Sequence, residues 1–220
     1  MEPGLHKFLQ DVFGCPAEVA AEIGGHAATR RFAARATILK QGDVADSAFL
    51  LLSGRAQAQT YGMEGQLCLL HEFLPGEIFG AFAQVRPPPE DGDIVALEES
   101  RALVFKVQDF VTLMERHGAM GVAVARMLKK RLRAATARMV ERSTLSAQGR
   151  IHIELLRMAR LGDGRTVKPA PVLAALAVRV HSTRETVSRT ITMLERRGII
   201  RREKDALVIV APHRLEEMIV

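Results

Sequence analysis

The stretch HSTRETVSRTITMLERRGII, residues 181–200, carries side chains whose spacing suits the reading of a nucleic acid. With Arg184 at zero on a helical wheel, Ser188 falls at about 40°, Glu185 at about 100° and Arg189 at about 140°. Two guanidiniums, a carboxylate and a hydroxyl therefore share one side. Val187 and Leu194 fall near about 300° and 280°, where they bury against the preceding apolar stretch with Leu173, Leu176 and Val180. Arg can donate two hydrogen bonds to guanine O6 and N7, and Glu can accept one from cytosine N4. Phosphates repel a carboxylate, so Glu185 among arginines points to base edges in the major groove rather than to bulk charge attraction. The same glutamate has a second reading: Ser182 stands three positions before it, which is the spacing of a helix capping box.

The flanking elements have to hold that face outward. QGRIHIELLRMARLG reads as a helix with Ile151, Leu155 and Met158 on its apolar stripe. After the turn-rich GDGRTVKPAP come two more helical stretches, VLAALAVRV and TRETVSRTITMLERRG, separated by a residue or two around His181. IIRREKDALVIVA then reads as a two-stranded hairpin and HRLEEMI as a closing turn or helix. Helix, turn, helix, hairpin is the order of a winged helix-turn-helix.

Charge divides the chain in the same sense. Residues 1–115 hold 9 Lys/Arg against 16 Asp/Glu, residues 116–142 hold 8 against 1, and residues 150–220 hold 14 against 8. An acidic front half is joined to a basic back half, within a total of +6 over 220 residues, and a basic half points to a polyanion partner. Two cysteines, Cys15 and Cys68, are too few for a disulfide framework or an iron–sulfur cluster. The first fifteen residues carry charge throughout and lack the apolar core of a secretory signal. No apolar run approaches the roughly 18 residues of a membrane span. The expectation is a cytoplasmic protein with no membrane contact.

Residues 28–108 read as short apolar runs broken by glycine, which predicts antiparallel strands in a sandwich or barrel with Gly42, Gly54, Gly65, Gly76 and Gly80 at the corners. No helix fits there. From about 109 the period becomes helical, and Ala125, Leu128, Leu132, Ala135 and Met139 are spaced 3, 4, 3, 4 along one stripe of a helix over about 119–145. The other faces carry Arg126, Lys129, Lys130, Arg131, Arg133 and Arg138. A long helix needs a partner to be stable, so the stripe predicts pairing with a second copy, against the simpler reading that it packs on its own domain.

The sequence resembles the bacterial CRP/FNR transcription regulators over almost its whole length. The resemblance is carried by ILKQGDVADSAFLLLSGRAQ and PGEIFG in front, by the long helix and QGRI in the middle, and by TRETVSRTITMLERRGII behind. The family's RETV..R recognition pattern is present as Arg184, Glu185, Thr186, Val187 and Arg189, and Ser188 matches the oxygen-sensing branch, so a TGTGA-like and a TTGAT-like half-site both stay open. The resemblance implies an α+β chain: an N-terminal cyclic-nucleotide-binding-like β-roll (jelly roll) over 1–117, a dimerisation helix over 118–145, and a C-terminal winged helix-turn-helix over 146–220. It implies a homodimer on a pseudo-palindromic DNA site, contact with RNA polymerase, and no enzymatic activity. Ser182 and Thr183 at the helix start, and Arg201 and Arg202 in the hairpin, become expected phosphate contacts. The family usually has glycine where this chain has His181, a residue type that tolerates left-handed backbone better than most.

The sensor half departs from the family. In nucleotide-binding members the corner continues to a Glu that binds ribose and, across a short helix, to an Arg-Ser pair that holds the cyclic phosphate. Here Gly76, Glu77 and Gly80 are kept, Ala81 stands at the ribose position, and Glu90 and Asp91 stand at the clamp, inside the run VRPPPEDGD of residues 85–93. Two carboxylates repel a phosphate, with no guanidinium to offset the loss of its water. Cyclic AMP in the usual pose is not expected, unless a shifted alignment lets Arg86 or Arg101 substitute; no cofactor is predicted. Three alternatives use the same region: haem on His71, a hard cation on Glu90, Asp91 and Asp93 beside His71, and a hydrolytic metal site. The last lacks any nucleophile and base at a motif spacing, any H-x-x-x-H and any Gly-rich phosphate loop.

Overall fold

The computed structural model describes residues 4–63, 65–83 and 86–219; of the run VRPPPEDGD, Val85 lies outside them. The chain forms two compact units with the boundary between Arg133 and Ala134. The first opens with two helices, α1 (Leu5–Phe13) and α2 (Ala17–Gly25), followed by eight strands: β1 (Ala27–Phe32), β2 (Thr37–Leu39), β3 (Ser47–Ser53), β4 (Ala56–Tyr61), β5 (Leu67–Phe73), β6 (Ile78–Gly80), β7 (Asp93–Ala96) and β8 (Ser100–Lys106). Helix α3 (Val107–Arg116) and the long α4 (Gly118–Thr144) follow. The compact-unit boundary falls inside α4, whereas the sequence sets 118–145 apart as a segment of its own.

All strand pairs of this unit are antiparallel, in two four-stranded sheets ordered β1-β8-β3-β6 and β2-β7-β4-β5. This is the β-roll. Strand β3, SAFLLLS, is apolar without alternation because both its faces are covered. On one side Phe32, Phe49, Phe73 and Phe79 fill the space between the sheets, with Phe49 and Phe79 stacked at 5.1 Å. On the other, Leu50, Leu103 and Phe105 pack under α1, α2, α3 and the start of α4 through Leu9, Phe13, Ile23, Phe110 and Met120. Strand β4, AQAQTY, keeps the polar alternation of a sheet face turned to water.

The corner glycines matter most at Gly80. Its φ is +75°, and a Cβ there would lie 2.6 Å from the Ser47 carbonyl oxygen, so the approach of β6 to β3 admits no side chain. From Ala81 to Gly92 the described residues form bends and irregular backbone, with no helix among them.

The second unit contains α5 (Ala147–Ala159), β9 (Thr166–Val167), α6 (Leu173–Arg179), α7 (Arg184–Arg196), β10 (Ile200–Arg202), β11 (Leu207–Ile209) and α8 (Pro212–Glu217). The expected hairpin is present and gains a third strand from the turn-rich segment, giving the order β10-β11-β9. Ile151, Leu155, Leu176, Val180, Val187, Ile191, Leu194, Ile209 and Leu215 form one core, so each helix contributes the apolar face that its period predicts.

In the first unit α4 is fixed to the β-roll by an apolar stripe and one basic side chain. Met120, Val124 and Met127 pack inward, and one turn further on the Arg131 guanidinium donates to the Ile78 carbonyl, sits 5.0 Å over the Phe73 ring and comes within 3.7 Å of Glu77. Burial pulls the Arg131 guanidinium below its ordinary pKa, and the Glu77 charge opposes that. Burial alone would raise Glu77, but bonds from the His71 ring and the Leu74 N–H, together with the charges of His71 and Arg131, hold its carboxyl below the usual range. Arg131→Met is expected to cost about 1–3 kcal/mol in urea unfolding, and Arg131→Lys to restore only part of it, because a point charge cannot stack on Phe73 and reach Ile78 together.

Candidate nucleic-acid interface

Helix α7 starts at a defined cap. The Thr183 hydroxyl accepts from the Thr186 N–H at 3.1 Å and lies 3.0 Å from the Thr186 hydroxyl. Thr183, not Ser182, is the N-cap, which corrects the capping-box reading. With the cap one residue later, Thr186 occupies the position a capping Glu185 would need. Glu185 is instead 77% exposed, with its carboxylate 3.8 Å from Arg189, itself 72% exposed. An exposed pair of this kind contributes little and exchanges readily for other partners.

Arg184, Glu185 and Arg189 are exposed and Ser188 half-buried, while Val187, Thr190, Ile191 and Leu194 are buried. The four expected base readers thus share the outward face of one rigid helix. Below them a concavity of about 460 Å³ runs along the helix, lined by Ser188, Arg189, Thr192, Met193, Arg196 and Arg197. Sequence reasoning stopped at Arg189 and missed this continuation, although the helical period carries it.

The turn before α7 is held by a residue that the sequence does not single out. Arg150, in the first turn of α5, donates to the carbonyls of Val180 (2.9 Å) and His181 (3.2 Å) in the turn and of Leu145 (2.8 Å) beyond the end of α4. His181 takes φ +47°, the left-handed conformation expected of it, and the Ser182 N–H closes onto the Ala177 carbonyl at 3.0 Å. The C-terminal end of α6 and the start of α7 are thereby locked at one angle.

The wing arginines are engaged. Arg201 pairs with Glu203 at 2.9 Å and Arg202 with Glu195 at 3.3 Å, both at the surface. Ser182 is half-buried, and the Thr183 hydroxyl is committed to the cap. On α4 the stripe Ala125, Leu128, Leu132, Ala135 and Met139 is exposed throughout, with Leu132 at 69% and Met139 at 67%. The stripe that packs on the first unit, Met120, Val124, Met127 and Arg131, is turned from it by about 90°.

At the β-roll corner, Gly76 and Gly80 make the positive-φ turns and Glu77 faces His71 and Arg131. Ala81 is 4% exposed, in an apolar cluster with Ala45 and Val107. Glu90 is tied through its main chain to Gly42 and Asp43, and burial, then the charge of exposed Asp91, raises its carboxyl pKa. The metal alternative does not assemble: the His71 ring meets Glu77 at 3.3 Å and the Phe73 ring edge-on, and Asp93 accepts from the Gln41 N–H. Among the described residues no three His, Cys, Asp or Glu side chains form a metal-binding group. None of their helices is long and apolar enough to cross a membrane.

Burial first, and then the charges of Arg142, Arg150 and Arg138, push the His181 pKa down to about 4. An unfolded histidine takes its proton near pH 6.5, so the contribution of a neutral His181 is full above pH 6.5 and is lost as pH falls from 6.5 towards 4. Between pH 7 and pH 5 the protein is expected to lose on the order of 1 kcal/mol through this half-buried ring. His181→Gly, which keeps the left-handed turn, should flatten that part of the melting-temperature profile; an unchanged slope would assign it to other groups.

The family model described as the cyclic nucleotide-binding domain matches residues 29–117, and that of the Crp-like helix-turn-helix domain matches residues 149–218. The chain is 30% identical over 165 residues to the cyclic AMP receptor protein of Thermus thermophilus, covering 74% of this chain and 75% of that one. It is 24% identical over 184 residues to a CRP-like cAMP-activated global transcriptional regulator of Mycobacterium tuberculosis, covering 81% and 82%. A CooA mutant from Carboxydothermus hydrogenoformans shares the fold with a TM-score of 0.81 at 17% identity, over 96% of this chain and 95% of that one. The c-di-GMP responsive global regulator CLP of Xanthomonas campestris does so with a TM-score of 0.76 at 17% identity, over 88% and 99%. With a nucleotide-binding-type roll in front and an exposed RETVSR helix in a winged domain behind, the chain belongs to the CRP/FNR family of transcription regulators, which bind DNA and are not enzymes.

Proposed function

We propose that this regulator acts in the cytoplasm as a homodimer on a pseudo-palindromic DNA site, without control by cyclic AMP, and works with RNA polymerase. The observation that carries the reading is the outward face of α7, where Glu185 is free of the cap and stands between Arg184 and Arg189. Arg184 and Arg189 donate to guanine, Glu185 accepts from cytosine, and Ser188 adds a small group that either half-site type accommodates. Arg201 and Arg202 serve as phosphate contacts by exchanging Glu203 and Glu195 for the DNA backbone, and Ser182 and Thr183 approach it at the helix start.

Dimerisation rests on the exposed stripe of α4, whose 3, 4 spacing is that of a two-stranded seam. A two-fold dimer presents two α7 helices to half-sites about one helical turn apart. Independence from cyclic AMP rests on the corner: a buried Ala81 has no group for a ribose hydroxyl, and Glu90 and Asp91 offer a phosphate only like charge.

Random-site selection with the purified protein is expected to yield a pseudo-palindrome. Against it, Arg189→Ala should cost about 1–3 kcal/mol and relax preference at one position of each half-site. Selection of no common sequence would overturn the reading. In thermal melting, cyclic AMP is expected to give no shift, whereas a ligand at a hundred times its dissociation constant adds about 2.7 kcal/mol. A large shift with cyclic AMP alone would restore the nucleotide as effector.

A further inference from the structure

We infer that Thr192 is a fifth base-reading position on α7, which takes the methyl group of a thymine in the major groove; the inference rests on the DNA-reading function proposed above. With Arg184 at zero, Thr192 falls at about 80°, between Ser188 and Glu185 and on the axis of the outward face. It lies two turns beyond Arg184, about 12 Å along the helix, and about 6 Å beyond Ser188. Successive bases of one strand are about 3.4 Å apart along the duplex, so this step reaches one to two base pairs beyond those that Ser188 and Arg189 meet.

The hydroxyls of α7 and its cap separate Thr192 from its neighbours. Thr183 and Thr186 are tied to each other and to the helix start, and the Thr190 hydroxyl is buried and donates to the Thr186 carbonyl at 2.9 Å. Among the described residues Thr192 has no such partner within the protein, and its side chain borders the concavity together with Ser188 and Arg189. A short β-branched side chain brings both a methyl and a hydroxyl to a base edge, and apolar contact with the thymine C5-methyl is one of the pairings that read the major groove. Arg196, one turn further at about 120°, is exposed and closes the far end of the face with a charge.

The test is a double-mutant cycle between two methyl groups. On the half-site selected by the unaltered protein, each thymine is replaced in turn by uracil, which lacks the C5-methyl, and Thr192 is replaced by serine, which keeps the hydroxyl. Binding is read by fluorescence anisotropy at fixed salt, after melting curves establish that Thr192→Ser folds as the parent does. At one thymine the parent should lose about fourfold in affinity on the uracil duplex, the worth of one buried methyl. Thr192→Ser should show the same loss on the thymine duplex and no further loss on uracil. Losses that multiply at every thymine, or a half-site without thymine, overturn the inference. Failure to select any sequence overturns the function beneath it, and Arg189→Ala reads that outcome separately.

Discussion

Arg150 makes three main-chain hydrogen bonds at once, to Leu145 just beyond α4 and to Val180 and His181 in the turn ahead of α7. Carbonyls at a helix end have no partner within the helix, and leaving one unpaired in the interior costs about 1–3 kcal/mol. The guanidinium satisfies three carbonyls just past the ends of α4 and α6 with a planar fork whose geometry a lysine does not possess. His181 contributes the other half of the constraint, since its left-handed backbone turns the chain between α6 and α7 within a few residues. The outward direction of Arg184, Glu185, Ser188 and Arg189 follows from that fixed turn, so this outer face depends on a residue that lies outside it.

The cap then decides which groups the outer face of α7 presents. Had Ser182 capped α7, the Glu185 carboxylate would have been drawn back to the helix start. Thr183 takes the cap through the Thr186 N–H, and the carboxylate points outward beside Arg189. Inside the helix, Val187, Ile191 and Leu194 are buried, and Thr190 enters the core with its hydroxyl satisfied by the Thr186 carbonyl. Polar groups on the inner side are thus committed to the helix, and those on the outer side are left for another molecule.

The fold and the exposed face of α7 were legible because periodicity and residue type agree there. The 3.6-residue pattern of TRETVSRTITMLERRG separates Val187 and Leu194 from the charged side before any tertiary contact is known. What escaped depends on geometry between elements. Ser182 and Thr183 are both good caps, and only the position where helical dihedrals begin chooses between them. Eight basic residues crowd 116–142, and nothing in their order tells that Arg131 turns inward to Ile78 while its neighbours stay in water. The two residues of β9 are too few to carry a pattern. Helix α1 carries a signal of its own, since Leu5, Leu9 and Phe13 recur at four-residue spacing and pack in the core, but a single apolar stripe interrupted by charge is short for a helix read from sequence alone.

The β-roll corner separates the shape of a nucleotide pocket from its chemistry. Gly76 and Gly80 are kept where positive φ is needed, and Gly80 has no room for a side chain, so these residues hold β6 against β3 whatever the roll binds. The polar groups answer to a different demand. Glu77 is satisfied from inside by His71, the Leu74 N–H and the Arg131 that α4 supplies, and Glu90 is anchored by main-chain bonds that make no use of its carboxylate. A phosphate drawn to Arg131 would have to take it from Glu77 and Ile78. Arg131 is already engaged in joining α4 to the roll, and carboxylates stand at positions 90 and 91; these are the physical grounds for proposing a regulator whose long helix is held by its own residues and not by a cyclic nucleotide.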